Sequence, residues 1–268
     1  MAEPIVIITG AATGLGCAAA VRLFTQGYHV IGGGLGLPDS KLPFETHALD
    51  VRSDLSVKEF IQLVMDKYGH IDALVNCAAI QLAGALEVMS IEETQRIIDT
   101  NFIGTVRLCR EVLPHMRKNV SGKIINVSSL GGRVAFPFHT SYCSSKFAIE
   151  GLSECLQYEV KPFGISVSVL APGSFYTALA ERSECSINAE NDSFYTNAMK
   201  RVIETNKADC RKMTSFLPFA LKVEQILKCK KPKLRYFAGR PDQKFFSVVH
   251  RFLPDRLIAW VVRKNFQI

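Results

Sequence analysis

The chain has 268 residues, 48% of them hydrophobic and 21% charged, with 18 Gly and 11 Pro; this is globular composition, and it excludes disorder, collagen and low-complexity repeats. The net charge is +7, but Leu221 to Ile268 holds twelve Lys or Arg against Glu224, Asp242 and Asp255, so the remainder is nearly neutral. The longest uncharged stretch, Pro162 to Ala180, is broken by Gly164, Pro172 and Gly173, which rules it out as an apolar membrane span.

Ile5 to Thr9 is an apolar, β-branched strand stopped by Gly10, and Leu15 to Phe24 follows with helical spacing of Cys17, Ala20, Val21 and Phe24. Strand-like His29 to Ile31 and Thr46 to Leu49 come next, then a helix over Val57 to Lys67, a strand over Ala73 to Val75 and helical patterns from Ile91 to Arg117. Lys123 to Val127 reads as a strand, Ser141 to Val160 as a long helix and Ile165 to Leu170 as a further strand. This alternation predicts an α/β fold, a doubly wound parallel sheet of about seven strands with helices on both faces. Beyond Pro172 the pattern degrades over 174–215, then gives a short helix near Pro218 to Lys228 and a strand over Leu234 to Phe237. An insertion at that point lies beyond a strand's carboxyl end, where such sheets bind ligands; it is either a substrate-covering lid or a surface loop with a few helical turns.

Met1-Ala2-Glu3-Pro4 lacks the basic start of a signal peptide, and the eight cysteines are scattered without C-x-x-C or zinc-finger spacing. The expectation is a cytoplasmic protein with reduced thiols and no metal site.

Thr9-Gly10-Ala11-Ala12-Thr13-Gly14-Leu15-Gly16 sits between the first strand and the first helix, where backbone N–H groups and a helix N-terminus can face a pyrophosphate. Its Gly-x-x-x-Gly-x-Gly spacing differs from the ordinary G-x-G-x-x-G fingerprint. Downstream stand Asp50-Val51 at the end of the third strand, Asn76-Cys77-Ala78-Ala79 after the fourth, Asn101 on the next helix, Asn126-Val127-Ser128-Ser129 closing the fifth, Tyr142-Cys143-Ser144-Ser145-Lys146 opening the long helix, and Pro172-Gly173 with Thr177. In this order the motifs resemble the short-chain dehydrogenase/reductase family, and from Asn76 onward the subgroup of 17-beta-hydroxysteroid and retinol dehydrogenases.

That resemblance implies a Rossmann-type domain over 1–268, NAD or NADP as cofactor, and interconversion of an alcohol with its ketone or aldehyde on a lipophilic body. It implies Asn101, Ser129, Tyr142 and Lys146 as the catalytic set. Thr9, Gly10, Thr13, Gly14, Leu15, Gly16, Asp50, Val51, Asn76, Ala78, Tyr142, Lys146, Pro172, Gly173 and Thr177 are implied to hold the cofactor. Tyr142 and Lys146, four apart, share one helix face, and a nearby ammonium favours the phenolate of a group whose free pKa is about 10. Cys77 and Ala79 replace the family's second Asn and its Gly. After the second strand, Gly32-Gly33-Gly34-Leu35-Gly36 offers neither the acid that selects NAD nor the arginine that selects NADP, leaving Asp39, Lys41 or an unspecific turn.

The basic tail over 243–268 joins two amphipathic pieces, Phe245 to Leu253 and Leu257 to Val262. Phe246, Val249, Phe252, Leu257, Ile258, Trp260 and Val261 are expected to pack on the body or across a dimer, with peripheral membrane contact the alternative. The resemblance implies a homodimer or tetramer built on the helices 101–117 and 141–160. A nucleic-acid partner is not expected. A non-catalytic dinucleotide sensor or an interaction protein is the competing functional class.

Overall fold

The computed structural model describes residues 3–36, 42–177, 184–186 and 194–268. Strand β1 (Ile5–Thr9) is buried on both faces, with Ile5 and Ile7 in one apolar cluster and Val6 and Ile8 in the other. That two-residue alternation between two dry faces is what a central parallel strand requires. Helix α1 (Gly14–Thr25) leads to β2 (His29–Gly34), then β3 (Glu45–Ala48), α2 (Asp54–Tyr68) and β4 (Ala73–Asn76). The glycines that end β2 extend it three residues past the predicted limit. A Cβ on Gly33 would lie 2.5 Å from Leu49 Cδ2, so only a bare backbone lets this strand seat against its neighbours.

After the two-residue strand β5 (Leu82–Ala83) comes α3 (Ile91–Ile98), opened by a reciprocal cap between Ser90 and Glu93. The helical pattern expected to run on to Arg117 is interrupted by a π-helical turn at Asp99–Ile103 before α4 (Gly104–Lys118). Strand β6 (Gly122–Val127), helix α5 (Thr140–Val160) and strand β7 (Ile165–Pro172) follow. Next come β8 (Glu184–Cys185), α6 (Thr196–Arg211), α7 (Leu217–Lys228), β9 (Arg235–Ala238), α8 (Pro241–Val249) and α9 (Asp255–Phe266).

The main sheet has seven parallel strands in the order β3-β2-β1-β4-β6-β7-β9, the Rossmann-type arrangement the alternation predicted. Helices α2, α4 and α5 contribute to the apolar cluster on one face, and α1 and α7 to the cluster on the other. Strand order reverses between β1 and β4, and the crevice that opens at their carboxyl ends is where ligands bind in such sheets.

The described residues of the 174–215 segment hold more regular structure than their composition suggested. Helix α6 runs 16 residues and buries Met199, Val202, Ile203 and Cys210, while β8 pairs with β5 in a separate two-stranded sheet. Polar residues dilute the helical spacing of α6, and two-residue strands leave no periodicity to read. Asp39, Lys41 and Leu179, singled out from the sequence, fall outside the described residues. Among the described residues no helix is long and apolar enough to cross a membrane.

Candidate active site

One cavity of about 260 Å³ opens at the carboxyl ends of β1, β4, β6 and β7. One side is the glycine turn. Gly10 and Gly14 hold φ of +67° and +59°, a left-handed backbone that favours glycine. A Cβ on Gly16 would lie 2.2 Å from the Gly10 carbonyl oxygen, so the first turn of α1 presses directly on the loop. Gly33 anchors that loop from β2, its carbonyl accepting the Gly10 N–H at 2.8 Å. Helix α1 starts at the cavity with no acidic residue in its first turn and no side-chain cap from Thr13. Its amide groups and positive dipole end are therefore available to an anion. Together with Thr13, Gly14, Leu15 and Gly16 along the wall, this is a cradle that fits a dinucleotide pyrophosphate.

The other side holds the predicted chemistry. Ser129, Tyr142 and Lys146 all line the cavity. Ser129, two residues past the end of β6, hydrogen-bonds the Tyr142 phenol and accepts the Gly131 N–H at 3.0 Å. Lys146 donates from Nζ to the Val127 carbonyl at 3.0 Å and places its ammonium 5.8 Å from the centre of the Tyr142 ring. Burial moves both groups toward their neutral forms: Tyr142 rises to about 12 and Lys146 falls to about 8. Pro172, Gly173 and Thr177 complete the wall, with Thr177 beside the glycine turn, 3.9 Å from where a Gly14 Cβ would stand.

Several predicted residues stand behind this cavity. Thr9 is buried and its Oγ1 accepts the N–H groups of Cys77 and Ala78 at 3.0 and 3.1 Å; it braces the β4 loop, leaving Ala78 on the wall. Asn76 lies inside the sheet layer, donating to Asn126 Oδ1 at 2.9 Å, and Asn126 in turn donates to Ser153. The amide nitrogen of Asn76 thus braces β4 against β6, while its buried Oδ1 has no hydrogen-bond partner among the described residues. Asn101 is fully buried in the π-helical turn, its side chain bound to both backbone groups of Ile80 and to Ser145 Oγ. Ser145 donates to the Tyr142 carbonyl at 2.6 Å, so a chain of hydrogen bonds links Asn101 to the start of α5. Asp50 is paired with Arg52 through both carboxylate oxygens, and Val51 packs beneath Gly104; neither lines the cavity.

Residues not foreseen also appear on the wall: Gln81, Phe136, His139, Asn206 and Cys210. His139 is buried and lines the cavity, three residues before Tyr142 at the start of α5, and its Nδ1 meets the Pro137 carbonyl at 3.0 Å. Burial lowers its pKa, so it is a neutral polar contact beside the phenol. Its position one helical turn from Tyr142 was a readable signal; Gln81, Asn206 and Cys210 come from segments that only the folded chain brings together.

The family model described as short chain dehydrogenase matches residues 4–187. The 3-ketodihydrosphingosine reductase of Bacteroides thetaiotaomicron is 33% identical over 269 residues, covering 100% of both chains. Human 17-beta-hydroxysteroid dehydrogenase type 1 is 35% identical over 200 residues, which span 68% of this chain and 60% of that protein. Among solved structures, a short-chain dehydrogenase from Streptomyces avermitilis superposes with a TM-score of 0.81 at 30% identity, covering 97% of this chain and 96% of that one.

Proposed function

The chain belongs to the short-chain dehydrogenase/reductase family, and from that premise we propose that it interconverts a lipophilic alcohol with its ketone or aldehyde, by hydride transfer with NAD or NADP. The carrying observation is that Ser129, Tyr142 and Lys146 share one cavity with the uncapped N-terminus of α1 and the glycine turn. A sensor needs the cradle, but it does not need a buried phenol beside a buried ammonium.

The nicotinamide, when bound, supplies or accepts the hydride; the chain manages one proton and one oxygen. Ser129 holds the substrate oxygen through its hydroxyl. Tyr142 passes a proton to that oxygen in reduction and takes it back in oxidation. Lys146 favours the anionic form of the phenol electrostatically and is suited to the nicotinamide ribose. With Tyr142 near 12, the resting residue is a phenol at neutral pH, the form that donates a proton to a substrate oxygen.

A lipophilic substrate is supported by the apolar side chains of Leu130, Phe136 and Phe175 on the wall. The names of the sphingosine reductase and hydroxysteroid dehydrogenase relatives point the same way. In this reading the 174–215 segment covers the substrate, α6 bringing Asn206 and Cys210 to the cavity. Subunit pairing is supported by the stripe of Phe147, Gly151, Cys155 and Tyr158 along the exposed side of α5. The buried thiols of Cys109 and Cys143 suit a reducing compartment, in keeping with the cytoplasm.

Following reduced-nicotinamide absorbance with both cofactors and a panel of a 3-keto sphingoid base, a steroid ketone, retinal and a small ketone tests the reading. Oxidation of cofactor by a lipophilic carbonyl is expected, with Tyr142→Phe slower by at least about a hundredfold while cofactor binding holds. A Tyr142→Phe variant as fast as the parent refutes it.

A further inference from the structure

Helix α8 buries polar residues and exposes apolar ones. Its two buried residues are Gln243 and Ser247, with Phe246 and Val249 half-buried beside them. Gln243 donates to Ser174 Oγ and Asp209 Oδ2 at 2.8 Å each, and Arg133 reaches Ser247 Oγ. Its solvent side is apolar: Phe245 and Val248 are 68% and 51% exposed, and Phe252, one turn further on, is 82% exposed. Helix α9 turns apolar residues inward, Phe266 buried and Ile258, Val261 and Val262 half-buried, yet still leaves Leu257 and Trp260 outside, the latter 57% exposed. The expected packing on the body therefore fails for Phe252, Leu257 and Trp260. An amphipathic helix that shows water its apolar side carries a face meant for another surface.

The charge around that face names the surface. Lys244, Arg251, Arg256, Arg263 and Lys264 are all exposed, and between Lys244 and Lys264 the single acid is Asp255. Lys264 holds its ammonium 4.9 Å from the centre of the Trp260 ring. Aromatic and aliphatic side chains ringed by long cationic ones are the composition of a helix that lies in a bilayer interface, the rings among headgroups and the cations on lipid phosphates. A second copy of the chain would set the same five cations against five, which opposes self-association through this face.

The face is tied to the cavity. Phe266, at the end of α9, is buried with its ring 6.1 Å from that of Phe136, a cavity-lining residue. Arg201 of α6 donates to the Gln267 carbonyl at 3.2 Å. Gln243 fixes α8 to Ser174 on the cavity wall. We propose that the outward face of α8 and α9 docks on an anionic lipid surface. Resting on the functional reading above, this sets the cavity beside the bilayer from which a lipophilic carbonyl is taken.

Trp260 is the chain's one tryptophan, so its emission reports this face directly. The full chain is mixed with phosphatidylcholine vesicles with and without phosphatidylserine, and with vesicles whose acyl chains are brominated. The expected result is a blue shift and bromine quenching with phosphatidylserine, weakened by salt, each cation at the surface being worth about fivefold in affinity. Phe252→Glu with Leu257→Glu should weaken binding at least about tenfold by removing buried apolar area, while turnover of a small soluble ketone stays unchanged. Emission that phosphatidylserine vesicles leave unmoved overturns the proposal, as does a double variant that binds like the parent. A shift already present without vesicles, lost together with dimer mass in the double variant, assigns the face to self-association and also overturns it. Vesicle binding without turnover of any carbonyl leaves the docking face standing and refutes only the functional reading.

Discussion

Tyr142 and Lys146 share the same buried walls, and burial drives them in opposite directions, the phenol to about 12 and the ammonium to about 8. The phenol therefore stays protonated across the working range. The lysine carries its charge below about 8 and loses it above. Because the ammonium is what favours the departing phenolate, kcat/KM for carbonyl reduction should be level below that point and fall as pH rises through it. A profile flat to pH 10, measured with saturating cofactor, would separate Lys146 from the chemistry. Ser129, Tyr142 and Lys146 were legible through the ordered motifs that carry the family resemblance, and the fold brings all three to one cavity. The bond between Asn76 and Asn126 was not legible, since only the fold shows which atoms of a buried amide are already bound.

The glycine turn works through contact between elements. Adding a methyl at Gly16 places it 2.2 Å from the Gly10 carbonyl, and backbone on backbone cannot yield as a flexible side chain can. Gly16→Ala should push α1 off the loop and raise the dinucleotide Kd by at least about tenfold, a difference of about 1.4 kcal/mol. Titrating either cofactor against intrinsic fluorescence measures it, and unchanged affinity would show that the helix start does not set the cradle. The strands and long helices were legible from their periodicities, as β1 and α5 show. The π-helical turn at Asp99–Ile103 was not, because a single widened turn between two helices is too short to stand out from their combined pattern. Helix α6 was missed for another reason: it borrows its apolar partners from Ala83, Val88 and Phe138, far away in the chain.

At the scale of the whole molecule, the exposed apolar surfaces of α5 and of α8 with α9 differ in charge. The α5 stripe of Phe147, Gly151, Cys155 and Tyr158 lacks a cation among its four residues and suits a self-complementary contact between copies. Phe147→Glu with Tyr158→Glu should lower the mass seen by sedimentation to that of one chain; an unaltered mass would place the subunit contact elsewhere. The α8 and α9 face, ringed by cations, suits an unlike partner. The basic excess in the composition was visible at once, but its meaning depended on knowing which side of each helix the body covers. Hydrophobic residues in an amphipathic tail are ordinarily assigned to the core, and here hydrogen bonds from Gln243 and Ser247 take that place.

The central claim is that this cavity passes a hydride between a nicotinamide and a lipophilic carbonyl carbon under the control of Tyr142. Incubating the protein with reduced cofactor carrying deuterium at C4 and a long-chain ketone, then locating the label by mass spectrometry, tests it directly. Deuterium on the former carbonyl carbon of the alcohol product, transferred from one face of the nicotinamide and abolished by Tyr142→Phe, is the predicted result. No labelled alcohol with either cofactor, from protein that binds both, would contradict it.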